Sequence, residues 1–166
     1  MTAITLLLAQ LDQAYNRHSW HGTNLRGSLR GMTAEDAAWR PGRGRHSVQE
    51  EVVHCAYWKY TATRRLTGDR TGRFALEGSN WFPRDRADAE KWKADVALLD
   101  RTHRRLREVV AAISPRDLER PLGTTTVQSL VSGIIAHDLY HAGQIQLLKT
   151  LAPPSRRAAA RKGAVR

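Results

Sequence analysis

The sequence predicts an all-α fold, a four-helix bundle with a long connection between its second and third helices. Three observations carry this reading. Apolar residues recur at steps of three and four over four long stretches, the spacing of one helix face. No stretch reads as a convincing strand, and no internal repeat appears. The chain has 166 residues, 41% hydrophobic and 26% charged, which fits one buried core rather than several. Four amphipathic helices in one small domain bury their apolar stripes against one another.

The first stretch is Ile4, Leu8, Leu11, Tyr15, His18, Gly22, Leu25 and Leu29. It reads as one helix, loosened at Gly22 and stopped by Gly31. Thr33 with Asp36 three residues on resembles a capping box and starts a short turn ending near Trp39. Arg40-Pro41-Gly42 then signals a loop. Ser47-Val48-Gln49-Glu50 is a clean capping box, and the second helix runs from there to about Leu66, with Val48, Val52, Cys55, Ala62 and Leu66 on its apolar face. Residues 68–87 are Gly-rich and irregular, a length that in a small domain points to a functional or mobile connection. The third helix, from about Asp88 to Ile113, carries Trp92, Val96, Leu99, His103, Leu106, Val110 and Ile113 in one stripe. The fourth, from about Val127 to Leu151, carries Val127, Leu130, Ile134, His137, His141, Ile145 and Leu148.

Composition excludes several function classes. A single cysteine, Cys55, leaves no intrachain disulfide and no Cys-based structural zinc site. No apolar run reaches the roughly 20 residues of a membrane helix. The N-terminus lacks a basic region and a small-residue cleavage site, so a cytoplasmic protein is expected. The net charge is +11, of which residues 153–166 carry +5 with no acid. This segment reads as a solvated basic tail on a domain of residues 1–152. A nucleic-acid arm is the weaker reading.

The histidines carry the chemistry. His137 and His141 lie four apart on the apolar stripe of the last helix, a spacing that lets two imidazoles reach one ion. On its own the pair is equally readable as two hydrogen-bonded core histidines. His54 lies one step round from the apolar face of the second helix, in the run Ser47, Glu51, His54, Trp58, and is the natural third ligand. Three neutral imidazoles suit a borderline divalent ion and leave a position open for water or substrate. Glu51-Val52-Val53-His54 is also an E-x-x-H motif, but the last helix offers no second one, which argues against a carboxylate-bridged di-iron centre. Glu50, Glu51 and Gln144 are candidates to orient the imidazoles, with Asp138 the weakest. Tyr57, Trp58, Tyr60, Trp81 and Phe82 could wall an apolar pocket near the metal, although aromatics at helical spacing are more often core; Trp58, four residues after His54, is the one expected to line it. His103 on the third helix and His18 and His21 near Gly22 are further pocket candidates, His103 more readily a hydrogen-bonded core residue. Cys55 reads as a buried, inert thiol, and His46 as exposed.

These residues resemble the DinB/YfiT-like superfamily of metal-binding four-helix bundles. Trp39-Arg40-Pro41, His46-Ser47-Val48 and His54 are similar to that family's approach to its second-helix ligand. The run His137-Asp138-Leu139-Tyr140-His141-Ala142-Gly143-Gln144-Ile145 is similar to its last-helix motif, with Ala142 where the family usually has Arg. The resemblance spans residues 4–150. It implies metal ligands at His54, His137 and His141, and a divalent transition metal among which Zn, Ni, Mn and Fe are not distinguished. It also implies activities such as metal-dependent transfer of a low-molecular-weight thiol, for which the metal lowers the pKa of a thiol or water. The expected function is therefore a metal-dependent thiol-S-transferase or hydrolase with a small-molecule substrate, forming a homodimer. The alternatives are a non-catalytic metal-binding or dimerising module and, last, a basic nucleic-acid binder. Fold alone does not choose among them.

Overall fold

Side chains start each long helix. Thr2, Ser47, Asp88 and Thr126 each accept a hydrogen bond from the backbone N–H three residues on, which satisfies a donor that the first turn leaves unpaired. At Ser47 the bond is reciprocal, because the Glu50 carboxylate accepts from the Ser47 N–H at 2.9 Å. In this computed structural model, which describes residues 2–153, the elements are α1 (Ala3–Tyr15), α2 (Leu25–Ser28), α3 (Ala34–Ala38), α4 (Val48–Thr67), α5 (Ala89–Ala111), β1 (Pro121–Leu122), β2 (Thr125–Thr126) and α6 (Val127–Leu151). The four long helices α1, α4, α5 and α6 make the all-α bundle, with α4 packed on both α5 and α6 and α1 on α5 and α6. No helix among the described residues is long and apolar enough to cross a membrane. The basic tail falls, from Pro154 on, outside the described residues.

Two expectations need correction. The first helix does not run to Leu29. It ends at Tyr15, and Asn24 begins a separate turn by accepting from the Gly27 N–H at 2.8 Å while its amide donates to the Arg17 carbonyl at 2.8 Å. Gly22 lies between them in the left-handed region (φ 93°), as a loop residue rather than a helix kink. A short ribbon is also present: β1 and β2 pair antiparallel about Gly123 (φ 67°), with Pro121 opposite Thr126 and Leu122 opposite Thr125. Two residues per strand are too few for alternation to show.

The core has two apolar halves. Ile4, Leu7, Leu11, Ala62, Leu106, Val110, Val131 and Ile135 belong to one. Val48, Val52, Ala56, Leu98, Leu99, Ala142 and Ile145 belong to the other. Ala142, where the family resemblance would place an arginine, is thus a core residue, 2% exposed. Between the halves lies a polar layer. On α4, Lys59 falls between Ala56 and Ala62; on α5, His103 falls between Leu99 and Leu106; on α6, Asp138 falls between Ile135 and Ala142. The Lys59 ammonium donates to the Asp138 carboxylate, and both side chains are wholly buried. The ammonium also stands 5.0 Å over the Tyr15 ring, which stacks on His103 at 3.6 Å. The Tyr15 hydroxyl donates to Asp100, which accepts from Arg26 at 3.0 Å nearer the surface.

A buried ion pair adds little net stability, but breaking one strands a charge in a low-dielectric interior. Lys59→Met should therefore cost about 3–5 kcal/mol in urea denaturation. Removing the stranded charge as well, in Lys59→Met/Asp138→Leu, should return most of that loss. A single substitution that costs nothing would show that Asp138 is not held as a carboxylate.

Candidate metal centre

The site forms where α4 and α6 run antiparallel. His54 projects from the first half of α4, and His137 and His141 project from successive turns of α6. Their Nε2 atoms converge. That of His137 lies 3.2 Å from Nε2 of His54 and 3.1 Å from Nε2 of His141, and the ligand atoms of the three residues all lie within 4.8 Å of one another. A tetrahedral ion with metal–nitrogen bonds of 2.0–2.1 Å holds its ligand nitrogens roughly 3.3 Å apart. Two of the three spacings match that value and the third lies within 4.8 Å, so the group could hold one ion.

Hydrogen bonding fixes which nitrogens face inward. Nδ1 of His54 lies 2.9 Å from the backbone carbonyl of Asn80, which can only accept, so the proton is on Nδ1 and the Nε2 lone pair points to the centre. The carboxylate of Glu51 sits against Nδ1 of His141, off the axis of a good hydrogen bond but close enough to hold the proton there. Two lone pairs are thus aimed at the same point, and the one proton that His137 can offer from Nε2 cannot serve both. A cation can. His54 and His141 are buried and His137 is half-buried. Burial lowers the pKa of His54 from 6.5 to about 4, and burial together with the neighbouring histidines lowers that of His137 to about 3. Both are neutral at pH 7, as metal ligation requires.

The walls come from the connection between α4 and α5. Trp81 is sandwiched between His54, at 3.9 Å, and His46, at 3.6 Å, with all three rings nearly parallel. Asn80 sits at φ 61°, a left-handed conformation that asparagine tolerates better than most residues. In that conformation its carbonyl serves His54 and its side-chain oxygen accepts from Nε1 of Trp58 at 3.0 Å. The resulting cavity of about 380 Å³ is lined by His46, Glu51, His54, Trp58, Asn80, Trp81, His137, Tyr140, His141 and Gln144.

The other site candidates are placed as follows. Glu51, Trp58 and Gln144 line this cavity, and Gln144 donates to the Tyr140 hydroxyl at 3.2 Å. Glu50 stands behind it: it caps α4 and is bound by the Arg40 guanidinium, which together with Ser47 keeps its carboxyl below the usual range despite burial. His103 is elsewhere, stacked on Tyr15 in the polar layer. His18 and His21 are exposed in the connection after α1 and do not line the cavity. Asp138 turns away to Lys59, as its position beside His137 suggested. Cys55 is fully buried, and burial pushes its thiol pKa well up. His46 is not exposed as expected, because Trp81 covers one of its faces. Trp81 is expected from sequence only as a pocket wall, and Asn80 not at all; the Gly78-Ser79-Asn80 turn signal is the one local hint of Asn80.

Two outcomes follow from these contacts. Unfolded histidines take up protons near pH 6.5, whereas folded His54 and His137 do so only near 4 and 3. The unfolded chain therefore binds more protons in that window, so the stability of the metal-free protein is fully present above about pH 6.5 and falls as pH drops toward about 4. Urea midpoints measured between about pH 7 and about pH 4.5 should decline, and His137→Leu should flatten the slope. Glu51→Gln, which removes the charge against Nδ1 of His141, should weaken Zn²⁺ affinity by about 10- to 100-fold in a chelator competition titration. An unchanged affinity would remove Glu51 from the site.

No curated protein and no solved structure matches the chain. The profile of the DinB superfamily matches residues 17–145, a stretch that contains all three histidines, the whole of α4 and α6 as far as Ile145. The match covers most of the sequence and coincides with the helical architecture and the three-histidine group: the chain belongs to the DinB superfamily.

Proposed function

We propose that this protein is a metal-dependent transferase that joins a small thiol to an electrophile. The observation that supports this best is the pair of inward lone pairs on His54 and His141, fixed by Asn80 and Glu51, meeting Nε2 of His137 at the floor of an open cavity. Three protein ligands leave a divalent ion with a free position on the cavity side, where it would lower the pKa of a bound thiol or water.

The residues around the centre favour the thiol. Glu51 is the one carboxylate among the described residues lining the cavity, and it is committed to His141. Nδ1 of His46 lies 3.6 Å from the Glu50 carboxylate, and the ring is held flat on Trp81. Among the described residues lining the cavity, no carboxylate is free to act as a general base. A thiol starts near pKa 8.5 and needs little help to ionise, whereas water starts near 15.7. The thiol proton leaves to bulk water, the sulfur bonds to the electrophilic carbon, and the leaving group departs with the electrons of the bond that breaks. His54, His137 and His141 hold the centre, and Trp58 and Trp81 wall the electrophile.

A second reading, a non-catalytic metal-binding module that pairs with another copy, draws on the exposed Tyr140, Leu147 and Leu151 along one side of α6. The two part on one experiment. Protein loaded with each of Zn²⁺, Ni²⁺, Mn²⁺ and Fe²⁺ is assayed for conjugation of low-molecular-weight thiols to halogenated and epoxide electrophiles, and for ester and amide hydrolysis. We expect conjugation, reduced at least about 100-fold in His54→Ala and His141→Ala. Turnover that survives both substitutions would contradict the proposal. Bound metal without turnover would favour the second reading.

A further inference from the structure

We infer that the three-histidine centre is one end of an elongated groove between α4 and α6, and that its occupant is a molecule with an apolar body and an anionic far end. The groove rests on geometry alone. Only the nature of the near end, a thiol, rests on the function proposed above.

A second cavity, of about 280 Å³, adjoins the first and shares Trp58 and His137 with it. Its α4 wall is Trp58, Thr61, Ala62 and Arg65; its α6 wall is Leu130, Gly133, Ile134 and His137. Each set falls at i, i+3, i+4 and i+7, so each is one face of its helix. His54 lies four residues before Trp58 and His141 four after His137, so the triad continues the same two facing stripes. Seven residues of helix place the far end about 10 Å from the shared end.

The groove is open because its walls are short there. Gly133 interrupts a helix where glycine is conformationally unfavourable, yet a Cβ built on it meets nothing within 4 Å, so no close neighbour demands the glycine. Ala62, Leu130 and Ile134 with the face of Trp58 supply the apolar part of the surface between the ends, edged by the Thr61 and Ser129 hydroxyls, which suits a flat or largely apolar body. At the far end stands Arg65. One of its terminal nitrogens donates to the Leu122 carbonyl at 2.8 Å, which holds the guanidinium across the groove end. None of the described residues lining this cavity is acidic, so the charge presented there is positive, and a guanidinium suits a carboxylate.

The test uses the full chain loaded with Co²⁺, whose thiolate charge-transfer band reports coordination at the centre, and tryptophan fluorescence, which reports occupancy beside Trp58. The probes are 2-mercaptoethanol, ω-mercaptoalkanoic acids of increasing length, the matching ω-mercaptoalcohols and the matching thiol-free alkanoates. Affinity should rise with length to an optimum at roughly six to ten carbons, the span of the groove. At that length the carboxylate should be preferred over the alcohol by about fivefold. Arg65→Gln, at an exposed position, should erase the carboxylate preference. Gly133→Leu, which fills open space on the groove floor, should erase the gain with length. Each variant is scaled to its own 2-mercaptoethanol band. Affinity that ignores chain length, or a carboxylate preference that persists in Arg65→Gln, would overturn the groove whether or not short thiols coordinate. If no thiol gives a band but the alkanoates bind with the same dependence on length and Arg65, the groove stands and the thiol reading falls.

Discussion

Two imidazoles can share a proton, but three whose lone pairs converge cannot all be satisfied by one. That constraint governs this molecule. Asn80 holds the proton on the outer nitrogen of His54, and Glu51 does the same for His141, so both rings present acceptors to Nε2 of His137. Left without a cation, such a cluster is a buried set of unmatched lone pairs, a costly arrangement in a core. Much of the surrounding structure maintains it: the left-handed turn at Asn80, the His46–Trp81–His54 stack, and the capping of α4 by Ser47 and Glu50, which fixes where on the helix Glu51 and His54 fall.

The polar layer behind the site is the second structural commitment. Asp138 follows His137 in sequence and points about 100° round the helix from it, into the bundle, where Lys59 neutralises it. One turn of α6 thus delivers a ligand to the cavity and an anion to the core. Lys59 performs the same double service on α4, since it follows Trp58, which faces the cavity. Sliding either helix by one residue would strand a charge on the apolar side, so the ion pair fixes the register of α4 against α6 and, through it, the distance between His54 and the other two imidazoles.

Much of this was legible in the sequence because its causes are local. Capping at Ser47 and Thr126 depends on residues three apart, and the sequence places both starts correctly. The three histidines were legible because their spacing on two helix faces needs only the helical period and an antiparallel neighbour. What was hidden depends on distant partners. Nothing beside Lys59 in the sequence marks it as buried, and its partner Asp138 lies 79 positions away. Asn80 and Trp81 lie in an irregular connection with no periodicity to read, and their roles appear only once the chain returns to α4. The end of α1 was misplaced because His18, Gly22 and Leu25 continue its spacing by coincidence, while Asn24 decides the matter by rebuilding a cap.

The central claim is that His54, His137 and His141 bind one divalent ion as a unit. It is tested most directly by titrating tag-free protein with Zn²⁺ and with Co²⁺, and by recording X-ray absorption of the loaded form beside His137→Ala. One equivalent should bind, held by three imidazole nitrogens at metal–nitrogen distances of about 2.0–2.1 Å plus an exchangeable ligand, with tight binding lost in the variant. Failure to bind any divalent transition metal at neutral pH, or a shell without imidazole, would contradict it.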